Sequence, residues 1–541
     1  MIQAFLNRFA LVEFTDTQLG AFLGVFSFLL AISIWARRSQ YDVKLVSGPS
    51  GGHWLWGHER EIFLTSAGQK FSEWFNTYGQ VVRYKGAFFH PDFLVVSDPR
   101  FIHHMLTENP YNYVKSPVFR PLVDRLLGHG LVWAEGDEHK QQRKVLNPAF
   151  SPANVRDMAP SVFESAAKLR TSLEQAILKS GGELETNVMK WTATATLDII
   201  GKVGFNHDFE QGKSQDAKDI QKAWTDQVNA GMTTAAFYAQ IFLRTFPFIL
   251  SIPVEAIQKQ GDIKNVINRL ANKFISEKGE LVENEKTEKA KNLLAIMMKA
   301  NSSGVNKMST QQMIDHITTF VVVGHETTAG SLNMTLLELA QHPDKQQRLR
   351  EEIISLGHEP TYEDLTAPER LPYLDAVVKE GLRLHPPGAY MDRVAVKDDI
   401  VPLLHPITTP SGEKLASLKI KAGQVIQIPN ISINRVDAVW KDGGNFRPER
   451  WVEQGGLPPR AEMQGGWSNI MSFSEGPRLC IGYRLALLEY KCLLSLLIRY
   501  FVFHDANVTI ETKFSATMQP RVVGSEDEGA QLPLRITLAE D

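Results

Sequence analysis

The stretch FSEGPRLCIG, residues 473–482, holds one of only two cysteines in 541 residues and sets it among glycine, proline and arginine, just ahead of a long apolar helical run. A thiolate is the metal-binding form of cysteine, and the unpaired N–H groups of a helix N-terminus favour that charged form. Gly476 and Gly482 remove side chains where a flat ligand could lie close, Pro477 stiffens the turn, and Arg478 offers a fork suited to a carboxylate. Phe473, Gly476, a basic residue at 478 and Gly482 would meet by chance around either cysteine roughly 6 times in 100,000 at this composition. Cys492 differs: in ALLEYKCLLSLLIRYF it reads as a small buried hydrophobe. Two cysteines twelve positions apart make neither a disulfide scaffold nor a four-thiolate zinc site.

The cradle around Cys480 therefore suits an anionic, planar metal cofactor, and heme with its two propionates fits. Elsewhere the composition is ordinary for a globular protein, with 43% hydrophobic and 22% charged residues and a net charge of −3, so no nucleic-acid partner is expected. Residues 19–36, LGAFLGVFSFLLAISIWA, run eighteen positions without a charge. As a helix they would span roughly 27 Å, near the thickness of an endoplasmic reticulum bilayer. Arg37 and Arg38 follow the run, whereas a cleaved signal peptide carries its basic residues before it. The expected organisation is a single-pass anchor at 1–40, a Gly/Pro-rich linker or hinge at 41–58, and one catalytic domain at 59–541. The positive-inside rule places that domain in the cytosol, which suits the lack of disulfides.

Most of the domain reads as helix. Strand-like stretches are few: 79–86, 92–98, 423–432 and the last twenty residues. Residues 277–292 are charge-dense and read as a solvated loop or a frayed helix end. One helix stands out, from 310 to 341, opening with Ser309 and Gln312 at capping-box spacing and closing before Pro343. Its midpoint, VVVGHETTAG, carries Gly324 and Gly330, each costing about 1 kcal/mol against alanine in a helix interior. Glu326, Thr327 and Thr328 place polar groups in the same apolar stretch. That combination suits close approach of a ligand and a proton source.

FSEGPRLCIG matches the Phe-x-x-Gly-x-Arg-x-Cys-x-Gly heme-ligand signature, and the chain resembles the cytochrome P450 superfamily across nearly its whole length after the anchor. The resemblance implies a mainly α fold with small β-sheets and a long central helix over the heme. KEGLRLHPP (379–387) resembles the family's Glu-x-x-Arg helix and FRPERW (446–451) the segment that completes a buried structural triad, here Glu380, Arg383 and Arg450. By spacing alone the first two could be surface decoration. VGHETT (323–328) resembles the oxygen-activating signature: Gly324 would open a groove for dioxygen, and Glu326 and Thr327 would relay protons. Val323 departs from the usual Ala or Gly. Residues 135–152 resemble the Trp-x-x-x-Arg helix with His139 in the Trp position. Arg143 and Arg393 then pair with propionates, and His139 either donates to the same carboxylate or is solvated. The loop near Val118 and Phe119, with Phe320 and Val323, would contribute to the substrate pocket.

What the resemblance implies chemically is heme b held without covalent links, with Cys480 as axial iron ligand. The enzyme would be a monooxygenase that inserts one atom of O2 into a lipophilic small molecule such as a terpenoid, steroid, fatty acid or aromatic. Electrons would come from NADPH through a membrane-bound FAD/FMN reductase, NADPH–cytochrome P450 reductase, with cytochrome b5 as a second donor. Lys140, Arg143 and Lys144 would contribute to a basic docking face. VPLLHPITTPSGEKLASLKIKAGQVIQIP (401–429) resembles fungal membrane-bound members more than bacterial ones, and the anchor at 19–36 is expected to hold the protein at the endoplasmic reticulum membrane. Two other classes use a similar heme site: an isomerase or dehydratase that rearranges a peroxide without O2, and a non-catalytic heme carrier or sensor.

Overall fold

The computed structural model describes residues 42–88, 90–117, 119–246, 262–284, 292–302 and 308–540, together with helical backbone at Gly24 and Ser27. The anchor expected at 19–36 otherwise lies outside the described residues, as does Val118. Among the described residues no helix is long and apolar enough to cross a membrane. The helices that build the site are, in chain order, α1 (Glu59–Leu64), α2 (Phe119–Leu127), α3 (Gly136–Leu146), α4 (Pro152–Lys179), α5 (Val188–Ile200), α6 (Thr234–Thr245), α7 (Thr310–Gln341), α8 (Pro372–Leu384) and α9 (Tyr483–Tyr500).

The bounds of α7 are those its end signals predict. Ser309 Oγ accepts from the Gln312 N–H at 3.1 Å, and the Gln312 side chain accepts from the Ser309 N–H at 3.0 Å. At the other end Pro343 opens a new helix. Between them α7 is buried nearly all round, which marks a helix running through a core rather than over one. Its polar residues are spent on buried ties to neighbours. Asn333 Oδ1 accepts from Thr192 of α5 at 2.8 Å, Ser331 donates to the His385 carbonyl at 2.6 Å, and Thr335 shares a 2.6 Å bond with Tyr490 of α9. A side chain on Gly381 of α8 would land on that last pair, so glycine there lets three helices meet.

A smaller core lies under a five-stranded sheet formed by β1 (Val81–Tyr84), β2 (Phe93–Val96), β3 (Tyr113–Val114), β4 (Met391–Ala395) and β5 (Val425–Ile428), in the spatial order β1-β2-β5-β4-β3. A hairpin of β6 (Ile510–Ser515) and β7 (Thr517–Val522) reaches α7. Asp399–Thr408 pairs with Lys414–Ile420, and Glu183–Asn187, Pro533–Leu538 and Phe501–Asp505 form a three-stranded sheet. Strand periodicity reveals β1, β2, β5 and the last strand, Pro533–Leu538, and misses the others, β4 and Asp399–Thr408 among them. β4 carries Asp392 and Arg393, and Asp399–Thr408 carries two prolines with a register shift after Pro402. Residues 277–284 continue the helix Asp262–Asn284. Residues 42–58 hold a 3-10 turn at Asp42–Leu45 and a bridge between His53 and Gly57, with Val43 and Val46 buried against the sheet.

Glu380 and Arg383 are no surface decoration, since both are fully buried. Arg383 donates to Glu380 through Nε and Nη2, each at 2.8 Å, and Arg450 Nε adds a third bond at 2.9 Å. The Arg447 N–H and Trp451 Nε1 also donate to the same carboxylate. Burial works to raise this carboxyl, but the two guanidinium groups overcome it and hold it below the ordinary value. Arg383 further donates to the carbonyls of Asn434, Gly443 and Asn445, so the network pins the chain that leads into the cysteine loop.

Candidate active site

A cavity of about 680 Å³ lies between α7 and the loop 473–482. The loop is shaped by its own backbone. The Cys480 N–H donates to the Phe473 carbonyl at 2.8 Å, and Ser474 and Gly476 take φ of 63° and 65°. Gly476 does not serve the purpose its sequence context suggests. A side chain on Gly476 would strike the Leu106 carbonyl and Thr107, so its bareness admits neighbouring backbone. Gly482 caps α9, and a Cβ added there would meet the Phe150 ring only at an ordinary 3.7 Å. Phe473 lines the cavity, edge-on to Trp467 at 5.5 Å.

Cys480 is accessible, yet what it faces is the cavity, and its thiol is otherwise enclosed by protein. Burial pushes the thiol up, while the Gly482 N–H and the Arg143 charge draw it back, and burial wins. The helix terminus alone therefore does not hold a thiolate here. A metal cation at Sγ would supply the missing positive charge. Among the described residues no group of three or more His, Cys, Asp or Glu is placed to hold a metal ion.

Four cationic side chains line the cavity beside the cysteine: Lys115, Arg143, Arg393 and Arg478. Arg143 of α3 donates to the Leu479 carbonyl at 2.6 Å. Arg478 pairs with Glu135, and Lys115 Nζ lies 3.4 Å from the same carboxylate. Burial pushes Lys115 down to about 7 against the pull of Glu135, and burial with Arg478 nearby takes Arg393 to about 10. Glu135 and, beside Arg393, Asp392 are two carboxylates among four cations, which leaves the wall short of negative charge, and the Nε atoms of Arg393 and Arg478 are buried without partners. Such a wall fits a porphyrin with two propionates. Lys115 and Glu135 escape a reading by motif because they belong to no signature pair; Glu135 merely opens the 135–152 stretch.

His139 is not solvated. It is 3% exposed, with Nδ1 at 3.1 Å from the Tyr111 hydroxyl. Burial, then the charges of Arg478, Lys115 and Arg143, drive it down to about 3, so the ring is neutral at physiological pH. Arg143, turned into the cavity wall, is withdrawn from the basic docking face, and Lys140 is paired with Asp137 at 2.8 Å. Lys144 remains exposed.

On the opposite wall α7 presents Phe320, Val323, Thr327 and Thr328. Thr327 Oγ1 donates to the Val323 carbonyl at 2.8 Å. Its sequence neighbour Glu326 faces elsewhere, accepting from Gln519 Nε2 of β7 at 2.7 Å, and is not part of the cavity wall. Gly324 also faces elsewhere: a Cβ there would lie 2.9 Å from Ile200, so its bareness lets α5 approach and opens no groove. Thr328 hydrogen-bonds Glu489 of α9, a carboxyl that burial drives well above its ordinary value. Phe119 of α2 lines the cavity while remaining 43% exposed, which puts it at the mouth. The Glu380 network touches none of this and is structural in position.

Comparison with known proteins agrees with this arrangement. A family model described as Cytochrome P450 matches residues 47–526. The chain is 34% identical over 462 residues to cytochrome P450 monooxygenase claQ of Ampulloclitocybe clavipes, covering 83% of this chain and 84% of that one. It is 33% identical over 533 residues to cytochrome P450 monooxygenase 205 of Postia placenta, covering 94% and 96%. A third relative, cytochrome P450 monooxygenase claO of A. clavipes, is 33% identical over 509 residues, covering 91% and 93%.

Proposed function

The chain belongs to the cytochrome P450 family and is a monooxygenase, and on that footing we propose that it holds heme b on Cys480 and oxygenates a lipophilic small molecule. Heme bound there supplies the binding and activation of O2 and the one-electron steps of the reaction. The protein's part is positional. Cys480 would hold the iron through its sulfur, and Arg143, Arg393, Arg478 and Lys115 would face the propionates, the buried Nε atoms of Arg393 and Arg478 being the ones without partners. Thr327 and Thr328 put hydroxyl groups on the cavity wall, where each can hold or pass a proton at Oγ1. Glu326, tied to Gln519, stands behind Thr327 as a carboxylate that could deliver one after a change of partner. The aromatic and aliphatic wall excludes water and receives an apolar substrate.

Electrons reach the site from NADPH by way of a membrane-bound FAD/FMN reductase, with cytochrome b5 as an accessory donor, docking near the exposed Lys144. Residues 19–36 tether the protein to the endoplasmic reticulum with the domain in the cytosol. The observation that carries the reading is the cysteine on a cavity wall whose cations outnumber its carboxylates and keep two buried guanidine nitrogens unpaired. The test is the absorption spectrum of the reduced, carbon-monoxide-bound protein. The wild type should give the band of a thiolate-ligated heme, and Cys480→Ser should lose it. A porphyrin-free preparation, or a serine variant with an unchanged spectrum, would refute the reading.

A further inference from the structure

The sheet furnishes a polar stretch of the cavity wall. Asp392 of β4 and Gln427 of β5 are directly paired across the antiparallel ladder, so their side chains share a face, and both line the cavity. Tyr84 of β1 donates from its hydroxyl to Gln427 Oε1 at 2.6 Å, which fixes the amide with its NH2 toward the Asp392 carboxyl, where it donates. A carboxylate has about four acceptor positions, and one amide leaves most of them unused. Asp392 is itself part of the cavity lining, so a group held in the cavity can take up that unused capacity. Among the described residues no Lys or Arg pairs with Asp392. The nearby Arg244 is instead committed to Glu59, at 2.8 and 2.6 Å. An acid enclosed without a counter-ion is costly unless something else satisfies it.

We propose that Asp392, oriented by Gln427 and Tyr84, accepts a hydrogen bond from a hydroxyl group of the substrate. The preferred substrates are then apolar molecules that already carry a hydroxyl, rather than plain hydrocarbons. This inference rests on the cavity being the substrate pocket. A neutral donor fits better than a cationic one because the positive charges of Arg244 and Arg393 are felt at Asp392, and an anionic group would be repelled by Asp392 and Glu59. Other lining residues, among them Phe63, Phe237, Phe320 and Phe514, suit the apolar body. The reaction that supplies such a substrate must be an earlier oxygenation, or a hydrolysis that frees a hydroxyl.

The test uses the full chain, heme-loaded, in detergent, with adamantane, 1-adamantanol and 1-adamantylammonium as probes. Dissociation constants come from equilibrium dialysis, with the heme absorption recorded on the same samples. The wild type should bind the alcohol about tenfold more tightly than the hydrocarbon, the worth of one hydrogen bond to a charged acceptor. Asp392→Leu should bring that ratio near one, with Asp392→Asn between. An alcohol preference that survives Asp392→Leu, or a cation that binds more tightly than the alcohol, would overturn the inference. Should the leucine variant fail to fold, Tyr84→Phe leaves Asp392 in place but frees Gln427. It should lower the preference about threefold, and an unchanged ratio would count against the inference. Dialysis reads the preference whether or not heme is bound. A wild type without heme would thus refute the proposed function alone, and an absent alcohol preference in heme-loaded protein would refute this inference alone.

Discussion

Replacing Glu380 by glutamine tests the claim that one buried carboxylate holds the scaffold beside the cysteine loop. Glutamine keeps the shape but removes the charge and turns an NH2 group toward donors. Five N–H groups now converge on the carboxylate, from Arg383 Nε and Nη2, Arg450 Nε, the Arg447 backbone and Trp451 Nε1. The two guanidinium groups are at most 1% exposed, so neither can turn to water. Breaking a buried pair from one side costs about 3–5 kcal/mol. Arg383 keeps three carbonyl partners and Arg450 keeps Asp442, which favours the lower figure, about 3 kcal/mol. That is a large share of the about 5–15 kcal/mol by which folded proteins are stable. Urea unfolding followed by far-ultraviolet circular dichroism should give a lower midpoint for Glu380→Gln with an unchanged slope. Because the folded carboxyl sits below its ordinary value of 4.5, its contribution is fully present above that pH and lost as pH falls through the lower folded value. The difference between wild type and variant should shrink over that acid window. A cost under about 1 kcal/mol, or additive costs for Glu380→Gln and Arg450→Gln in a double-mutant cycle, would refute the reasoning.

Two glycines of α7 should respond in opposite directions to alanine. Gly330 has nothing within 4 Å of the point where a methyl would sit, and Gly330→Ala should stabilise by about 1 kcal/mol, whereas Gly324→Ala must displace Ile200 and should destabilise by about as much in the same urea assay. His316 is fully buried with both ring nitrogens unpaired, and burial drives it down to about 4. The unfolded chain therefore binds the proton first, and stability falls as pH drops from 6.5 toward 4. His316→Phe, beside Phe320, should remove about 2 kcal/mol of the stability lost between about pH 7 and pH 5, read as the difference in urea midpoints. Arg393→Leu and Arg478→Leu should each weaken heme retention, measured as the rate of heme transfer to apomyoglobin, and unchanged rates would remove these arginines from the propionate site.

Much of the site is legible in residue order because its signals are local. The capping box and proline that bound α7, the glycine and proline that bend the chain before Cys480, and the i,i+3 spacing of Glu380 and Arg383 all act within a few residues, where chain geometry allows little choice. Direction is another matter. Glu326 and Thr327 are adjacent, yet helical rotation sends one to Gln519 and the other to the cavity, and only the placement of β7 and α9 around α7 settles which goes where. Gly324, Gly476 and Gly482 could each have bared a surface for a ligand. The approach of Ile200 and Leu106 gives the bareness of Gly324 and Gly476 to packing instead, while Gly482 has only an ordinary contact with Phe150. Lys115, Glu135, Arg393 and Arg478 are far apart in the chain and meet only because the sheet and two loops converge. The pairing of Asp392 with Gln427 likewise exists only once β4 lies beside β5. Residue order thus carries what short-range backbone geometry can encode, while charge balance and facing arise from long-range packing, where burial and neighbouring charge set each group's protonation and partners.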